Sequence, residues 1–300
     1  MKKKTYLFAL MAMVLTLGSC SDNENGIGGE TSKYITVSTS IGNMTRVATD
    51  AKGGQTFEEG DEISVYAWTG APTVAPETSE RVVNNAINKL TNGSWISTPQ
   101  MLWKNNREKH YFIGVYPTAA ISDLSAGEYT FDANKQTESD LLVAVNPDGL
   151  SYSADAQQTV PLTFTHVMAK LAVNLTYKNQ WGGIPTVEKV VVGNAAKEAT
   201  INYLTKVVTP STTAKEDFSL PEITENTKYV SVIIPQEEVT QLTIVIGGKN
   251  FVYDNGTPFK LESGKITTVN LEVGRDEIKL GDVKITNWED GSTFSGEALN

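Results

Sequence analysis

Tyr34-Ile35-Thr36-Val37-Ser38-Thr39-Ser40-Ile41 is the stretch whose reading decides the fold. Ile35, Val37, Thr39 and Ile41 alternate with their polar neighbours, a period of two residues that lines one face of an extended strand and no stripe of a helix. The same period returns at Ile63, Val65 and Ala67, and again at Tyr111, Ile113 and Val115 before Pro117 stops it. Further strand-forming runs lie at 141–145, 160–177, 187–192, 230–234, 242–246, 251–253 and 266–273, separated by Gly, Asn, Asp and Pro. Only 81–90 carries helical spacing, through Val82, Val83, Ala86, Ile87 and Leu90, and one or two helical turns are expected there. The body is therefore all-β.

Turn signals recur about every ten to fifteen residues, and no long helix is available to carry parallel crossovers, so antiparallel β-sandwiches are expected. The length suggests two domains in series. A weak internal echo, strand then loop then strand at 35–68 and again at 171–192, places the boundary near residue 160. The expected division is an N-terminal sandwich over 34–160 and a C-terminal sandwich over 161–300. In the latter, Ile278 and Leu280 alternate, then Val283 and Ile285, with Gly281-Asp282 read as a turn between two short strands. These strands, within 276–288, read equally as strands donated to a neighbouring molecule or as strands that finish the sandwich with Trp288 in its core.

Ahead of this body stand Lys2 to Lys4, an uncharged and mainly apolar run from Tyr6 to Leu17, and then Gly18-Ser19-Cys20. A span needs about 20 apolar residues, so the run reads as the core of a cleaved export signal over 1–19. Cys20 is the only cysteine and the natural acceptor for a lipid at the cleavage boundary, which predicts an anchored protein outside the cytoplasm. Residues 20–33 read as a flexible acidic tether. Removing the signal takes away three lysines, leaving 22 basic against 35 acidic residues, a net charge of −13. Nucleic acid is a poor partner for such a chain.

A search for chemistry returns little. His110 and His166 are the only histidines, too far apart in sequence and without thiols to suggest a metal centre. No nucleophile elbow, phosphate loop or zinc-protease motif occurs. Carboxylate neighbours such as Glu58-Glu59 and Glu237-Glu238 read as solvated faces, and His166 reads as a structural residue. No enzyme activity, cofactor or metal is expected. Of the five tryptophans, Trp181, beside Gly182-Gly183 in an apparent loop, is the best candidate for stacking on a sugar ring.

The punctuation of the strands resembles the fimbrillin family of Bacteroidetes, the lipoprotein-derived subunits of FimA- and Mfa-type surface fimbriae, and in particular its fimbrillin-like branch. The resemblance is carried by the lipobox at Cys20, Met44-Thr45-Arg46 after the first strand, Phe57-Glu58-Glu59-Gly60-Asp61-Glu62-Ile63, Asp140-Leu141-Leu142-Val143-Ala144, Leu162-Thr163-Phe164-Thr165-His166, Ile234-Pro235-Gln236, Gly264-Lys265 and Trp288. Asp22 and Glu24, close behind the cysteine, also resemble the surface-export signal of Bacteroidetes lipoproteins. The resemblance implies two transthyretin-like sandwiches and a fimbrial subunit or fimbrium-associated adhesin, held at the outer membrane by its lipid. Its partners would be other fimbrial subunits and a host or bacterial surface glycan or protein. It further implies proteolytic cleavage after Arg46, release of the first strand, and filling of the vacated groove by a donor strand, for which Ile278, Leu280, Val283 and Ile285 are candidates. The alternative reading is a non-polymerising glycan-binding surface lipoprotein.

Overall fold

The computed structural model describes residues 33–42, 56–153 and 158–288, all within one compact unit spanning 31–300. The first eight strands are β1 (Thr36–Ile41), β2 (Glu62–Thr69), β3 (Val83–Thr91), β4 (Ser94–Thr98), β5 (Lys109–Tyr116), β6 (Gly127–Thr130), β7 (Leu142–Ser151) and β8 (Thr159–His166). There follow β9 (Ala169–Tyr177), β10 (Val187–Ala196), β11 (Glu198–Asn202), β12 (Val207–Pro210), β13 (Lys215–Ser219) and β14 (Glu222–Thr224). The last five are β15 (Lys228–Ile233), β16 (Gln236–Ile246), β17 (Lys249–Leu261), β18 (Lys265–Val273) and β19 (Ile278–Asn287). Helical structure among the described residues is confined to single 3₁₀ turns at Thr78–Glu80 and Asn179–Trp181. The protein is all-β, as the period of two requires.

A seven-stranded sheet runs in the order β1-β8-β7-β5-β2-β3-β4. Its ladders are antiparallel except for β1 with β8, which pair in parallel from Thr36↔Thr159 to Ile41↔Phe164. The sheet curls until its two ends meet. Trp95 on β4 donates its indole N–H to Thr39 Oγ1 at 3.0 Å, and Ile35 N donates to Met101 O at 2.9 Å. Inside the curl lies a first core of Ile35, Val37, Ile63, Val65, Phe112 and Phe164 with their neighbours. Gly114 admits the Phe164 ring, since a Cβ there would come within 2.6 Å of Phe164 Cζ.

The other face of the same sheet is buried too. Tyr66, Trp68, Ile113, Val115 and Val143 belong to a second core that continues through β9, β10, β16 and β18. Two further sheets pack around that core: one of order β13-β10-β16-β17, the other of order β14-β15-β9-β18-β19. Within the latter, β18 and β9 run parallel, from Ile266↔Lys170 to Val273↔Tyr177. A small sheet of order β12-β11-β6 joins β6 to strands from beyond residue 160.

Two sequence expectations are corrected here. Residues 81–90 are not helical but form most of β3. A register shift between Val65 and Ala67 opposite, with Asn85 at φ 56°, marks a β-bulge, and the inserted residue moves the buried positions from Val83 to Ala86 and Asn88. An irregular period of this kind imitates helical spacing. The run 160–177, read as one stretch, turns at Val167-Met168, and its two parts, β8 and β9, enter different sheets.

Burying both faces obliges the polar groups of β2 to find partners inside. Ser64 Oγ accepts from Ala119 N at 2.9 Å, while the Tyr66 hydroxyl donates to Ala119 O and accepts from Ile121 N at 2.9 Å. Arg81, itself buried, donates to Ile121 O at 2.6 Å and Ser122 O at 2.5 Å and lies 5.4 Å from the Tyr66 ring centroid. These bonds tie the 117–126 loop down over the sheet.

His110 on β5 is fully buried. Its Nε2 accepts from Lys104 N at 3.1 Å, and Trp103 meets its ring edge-on at 5.0 Å. Burial pushes its pKa below the ordinary histidine value of 6.5, with the neighbouring Glu108 and Leu150 carbonyls opposing the shift. An unfolded chain then binds a proton that the native state refuses, so stability falls as pH drops below about 6.5. Urea midpoints should be lower at pH 5.5 than at pH 7.5. The difference should shrink in His110→Gln, whose amide oxygen still accepts from Lys104 N; an unchanged difference would assign the effect to other groups.

Candidate functional site

Among the described residues the sheets offer their unpaired hydrogen-bonding groups mainly at edge strands, and the two ends of the described chain, β1 and β19, are both edges. β1 is held on one side by the full ladder to β8, with Ser40 Oγ donating to Thr163 Oγ1 at 3.2 Å. On its other side it has no full ladder but a Tyr34↔Leu102 bridge, Trp103 N donating to Lys33 O at 3.2 Å, and the Ile35–Met101 and Trp95–Thr39 bonds that close the curl. Its alternate side chains, Ile35 and Val37, are buried in the first core, and Ile41 packs against it. Removing the strand would open that core.

β19 is built differently. The sequence suggests a turn at Gly281-Asp282 between two short strands; the structure shows one continuous strand with a bulge. Pairing runs Leu271↔Leu280 and then Asn270↔Asp282, leaving Gly281 as the inserted residue. A Cβ at Gly281 would lie 3.2 Å from Asn270 O, a close approach that suits glycine. The insertion has a phase consequence. Ile278, Leu280, Val283 and Ile285 stand opposite Val273, Leu271, Val269 and Thr267, so all four project from the face whose β18 residues fill the core. Without the bulge, Val283 and Ile285 would point to the other face.

Yet this stripe is not covered. Leu280 retains 36% exposure and Val283 and Ile285 39% each, whereas Val269, Leu271 and Val273 beside them are at 0–1%. Charges along the strand are solvated pairs, such as Lys284 with Asp282 at 3.5 Å and Lys279 with Glu277 at 3.6 Å, and contribute little. An edge strand with a half-covered apolar face can pair with or pack against another extended chain.

Trp181 lies in the 179–181 turn and is half-buried. Its indole N–H donates to Val273 O at 2.9 Å, Phe251 packs on it at 5.8 Å, and the Arg275 guanidinium lies 5.7 Å from the ring centroid. An open groove of ≈ 580 Å³ is lined by Glu128, Thr130, Glu198, Thr200 and Thr209. Tyr129, beside it, directs its hydroxyl to Ser139 O at 2.7 Å. Cys20 and Arg46 lie outside the described residues. No group of three or more His, Cys, Asp or Glu able to hold a metal occurs among the described residues.

Residues 45–288 match the family model described as fimbrillin-like. The chain belongs to the fimbrillin-like family. The match begins after β1 and ends at Trp288, so it takes in the whole of β19. Among solved structures, the fimbrillin-like chain is similar to a candidate cell adhesion protein from Bacteroides ovatus (TM-score 0.62, 18% identity, 85% of this chain and 98% of that one). It is also similar to a fimbrial protein from Bacteroides vulgatus (TM-score 0.51, 13% identity, 84% and 99%). A third likeness is to the tip fimbrial protein Mfa3 from Porphyromonas gingivalis with C-terminal truncation (TM-score 0.50, 11% identity, 77% and 95%). At these identities the likeness is one of fold. No curated protein matches the sequence significantly.

The exposure of the β19 stripe makes a stability prediction. Leu280→Ser and Val283→Ser should each cost roughly 1 kcal/mol in the monomer, because more than a third of each side chain already stands in water. Val269→Ser, in the core directly opposite, should cost more than about 2 kcal/mol. Urea denaturation of the three variants distinguishes the positions, and equal losses would mean that the stripe is covered after all.

Proposed function

We propose that this protein is a lipid-anchored fimbrial subunit or fimbrium-associated adhesin whose assembly elements are its two edge strands. Membership of the fimbrillin-like family and the likeness in fold to fimbrial proteins support this reading. The observation that carries it is that the described chain begins in an edge strand whose side chains plug a core and ends in an edge strand whose apolar face is half-covered. β1 supplies Ile35 and Val37 to a closed core, and β19 presents Ile278, Leu280, Val283 and Ile285 in the phase of a core face without a full cover.

In this reading cleavage after Arg46 removes β1 and leaves a groove beside β8. Losing that apolar face exposes roughly 200–300 Å², or about 5–8 kcal/mol of burial awaiting a replacement before ordering costs are met. An extended segment of a neighbour, with apolar residues at alternate positions, fills it. Backbone bonds to β8 supply affinity and the alternate side chains occupy the pockets of Ile35 and Val37. The C-terminal strand of a second copy has that pattern on each side of the Gly281 bulge.

Uncut protein should stay monomeric. Treatment with an arginine-specific protease should produce ladders resistant to mild detergent, and Arg46→Ala should abolish them. Trimmed protein that remains monomeric with its C-terminal strand intact would remove the polymerising role and leave an accessory or tip adhesin.

The anchor is proposed at Cys20, on the strength of the basic, apolar and small-residue sequence before it. In a Bacteroidetes host, a fatty-acid analogue should label wild type and not Cys20→Ala, and only the labelled form should fractionate with the outer membrane. Equal labelling of both would sink the anchor.

A further inference from the structure

β19 is attached by its backbone along its length, with Ile278 half-buried at its start, a solvated bond from Asn270 Nδ2 to Asp282 Oδ1 at 2.6 Å, and one buried side chain just past its end. From Lys279 to Asn287 its residues are exposed, while Trp288, immediately beyond, falls to 8%. The difference has a specific cause. The indole of Trp288 stacks on His166, with ring centroids 4.1 Å apart and planes within 6° of parallel. Lys170 Nζ lies 4.1 Å from the Trp288 ring centroid. The imidazole is held in place by Asp140, whose Oδ1 is 2.8 Å from His166 Nδ1. Trp288 N donates to Gly264 O at 3.0 Å, and Gly264 N donates to Met168 O at 2.9 Å.

Four separate elements meet around Trp288: the end of β8 through His166 and β9 through Lys170 on its ring, the 262–265 turn through Gly264 on its backbone, and the segment before β7 through Asp140, which holds His166. The turn depends on glycine. Gly264 has φ 68°, and a Cβ there would stand 3.1 Å from His166 O. Burial pushes the Lys170 ammonium pKa down while Asp140 opposes the shift, an arrangement that keeps a cation against the indole face in a poorly solvated place.

We propose that Trp288 is the latch of the C-terminal strand: seated between His166 and Lys170 it holds β19 against β18, and unseated it lets residues 278–288 detach as one unit while the rest of the protein stays folded. The half-exposed stripe explains why one contact weighs most. Leu280, Val283 and Ile285 stand more than a third in water already, and the side-chain bond to β18 along 279–287, Asn270 Nδ2 to Asp282 Oδ1 at 2.6 Å, is solvated. Trp288 is therefore the only buried side chain that resists the departure. Local opening of an edge element below the free energy of global unfolding is an ordinary property of folded chains. The latch belongs to the monomer and does not depend on β19 serving as a donor.

Hydrogen exchange of the full chain, read by mass spectrometry on peptides covering 278–287, tests it. In Trp288→Ala the β19 amides should exchange about tenfold faster or more, while those of β9 and β16 keep their wild-type rates. Lys170→Met, which preserves the aliphatic packing and removes the cation, should accelerate the same peptides by a smaller factor. Trp288→Phe should restore most of the protection. Wild-type rates for β19 in Trp288→Ala overturn the proposal, and so does equal acceleration of β9 and β16, which would make Trp288 an ordinary core residue. Should Trp288→Ala fail to fold, the other two variants decide: acceleration confined to β19 in Lys170→Met supports the latch, and its absence there overturns it.

Discussion

Along β2 and β5 the seven-stranded sheet has a hydrophobic core against each face, and the remaining architecture follows from that constraint. Ile63, Val65 and Ala67 point into one core while Tyr66 and Trp68 point into the other. A sheet buried on both sides cannot leave polar atoms to water, so Ser64, Tyr66 and Arg81 are tied to the 117–126 loop. It also cannot carry a binding surface on its central strands. What remains open to partners is the row of backbone groups at the edges, and β1 and β19 are the edges formed by the two ends of the described chain.

Most of the fold was legible because burial on a pleated surface imposes a period of two that composition cannot hide. The runs at 63–67, 111–115, 242–246 and 266–273 lie in strands, and β1 takes in all of 35–41 but Ile35. Legibility failed where something other than burial set the spacing. At β3 the bulge with Asn85 added a residue between Val83 and Ala86 and produced an apparent helical stripe. Short strands such as β6, β12 and β14 gave no signal, since three or four residues with few buried side chains resemble any polar loop. The parallel pairing of β1 with β8 and of β9 with β18 is a matter of long-range topology and leaves no mark in either strand.

The candidate site shows the same division. The apolar alternation at Ile278, Leu280, Val283 and Ile285 was visible, and Gly281 was recognised as an interruption, but a glycine between two alternating pairs fits a turn as well as a bulge. Only the register against β18 decides between them, because it keeps all four side chains on one face. The cluster around Trp288 had no sequence signal beyond the family's own punctuation. Asp140, His166, Lys170 and Trp288 are spread over 149 positions (288 − 140 + 1) and meet only when β8, β9 and the 262–265 turn are in place. His166 read in sequence as a structural residue, and its geometry agrees: it orients against Asp140 and offers its ring face to an indole.

The chemistry available for fastening a terminal strand is narrow here. The single cysteine stands at position 20, so no intrachain disulfide can cross-link the C-terminal segment to the body. A strand sealed by a deep row of core side chains would be permanent for a different reason, since each buried aliphatic residue adds roughly 1.5–3 kcal/mol. β19 avoids that permanence by keeping its apolar row at the margin of the sandwich, leaving the backbone ladder to β18, a solvated Asn270–Asp282 bond and one buried aromatic contact at its end. The ladder is repeated bond by bond and reforms with any extended partner, whereas the Trp288 stack is a single shape that must be met in one place. An edge strand attached in this way, if Trp288 acts as proposed, is ordered in the monomer and yet separable from it, and those are the two properties that a strand offered to a neighbour requires.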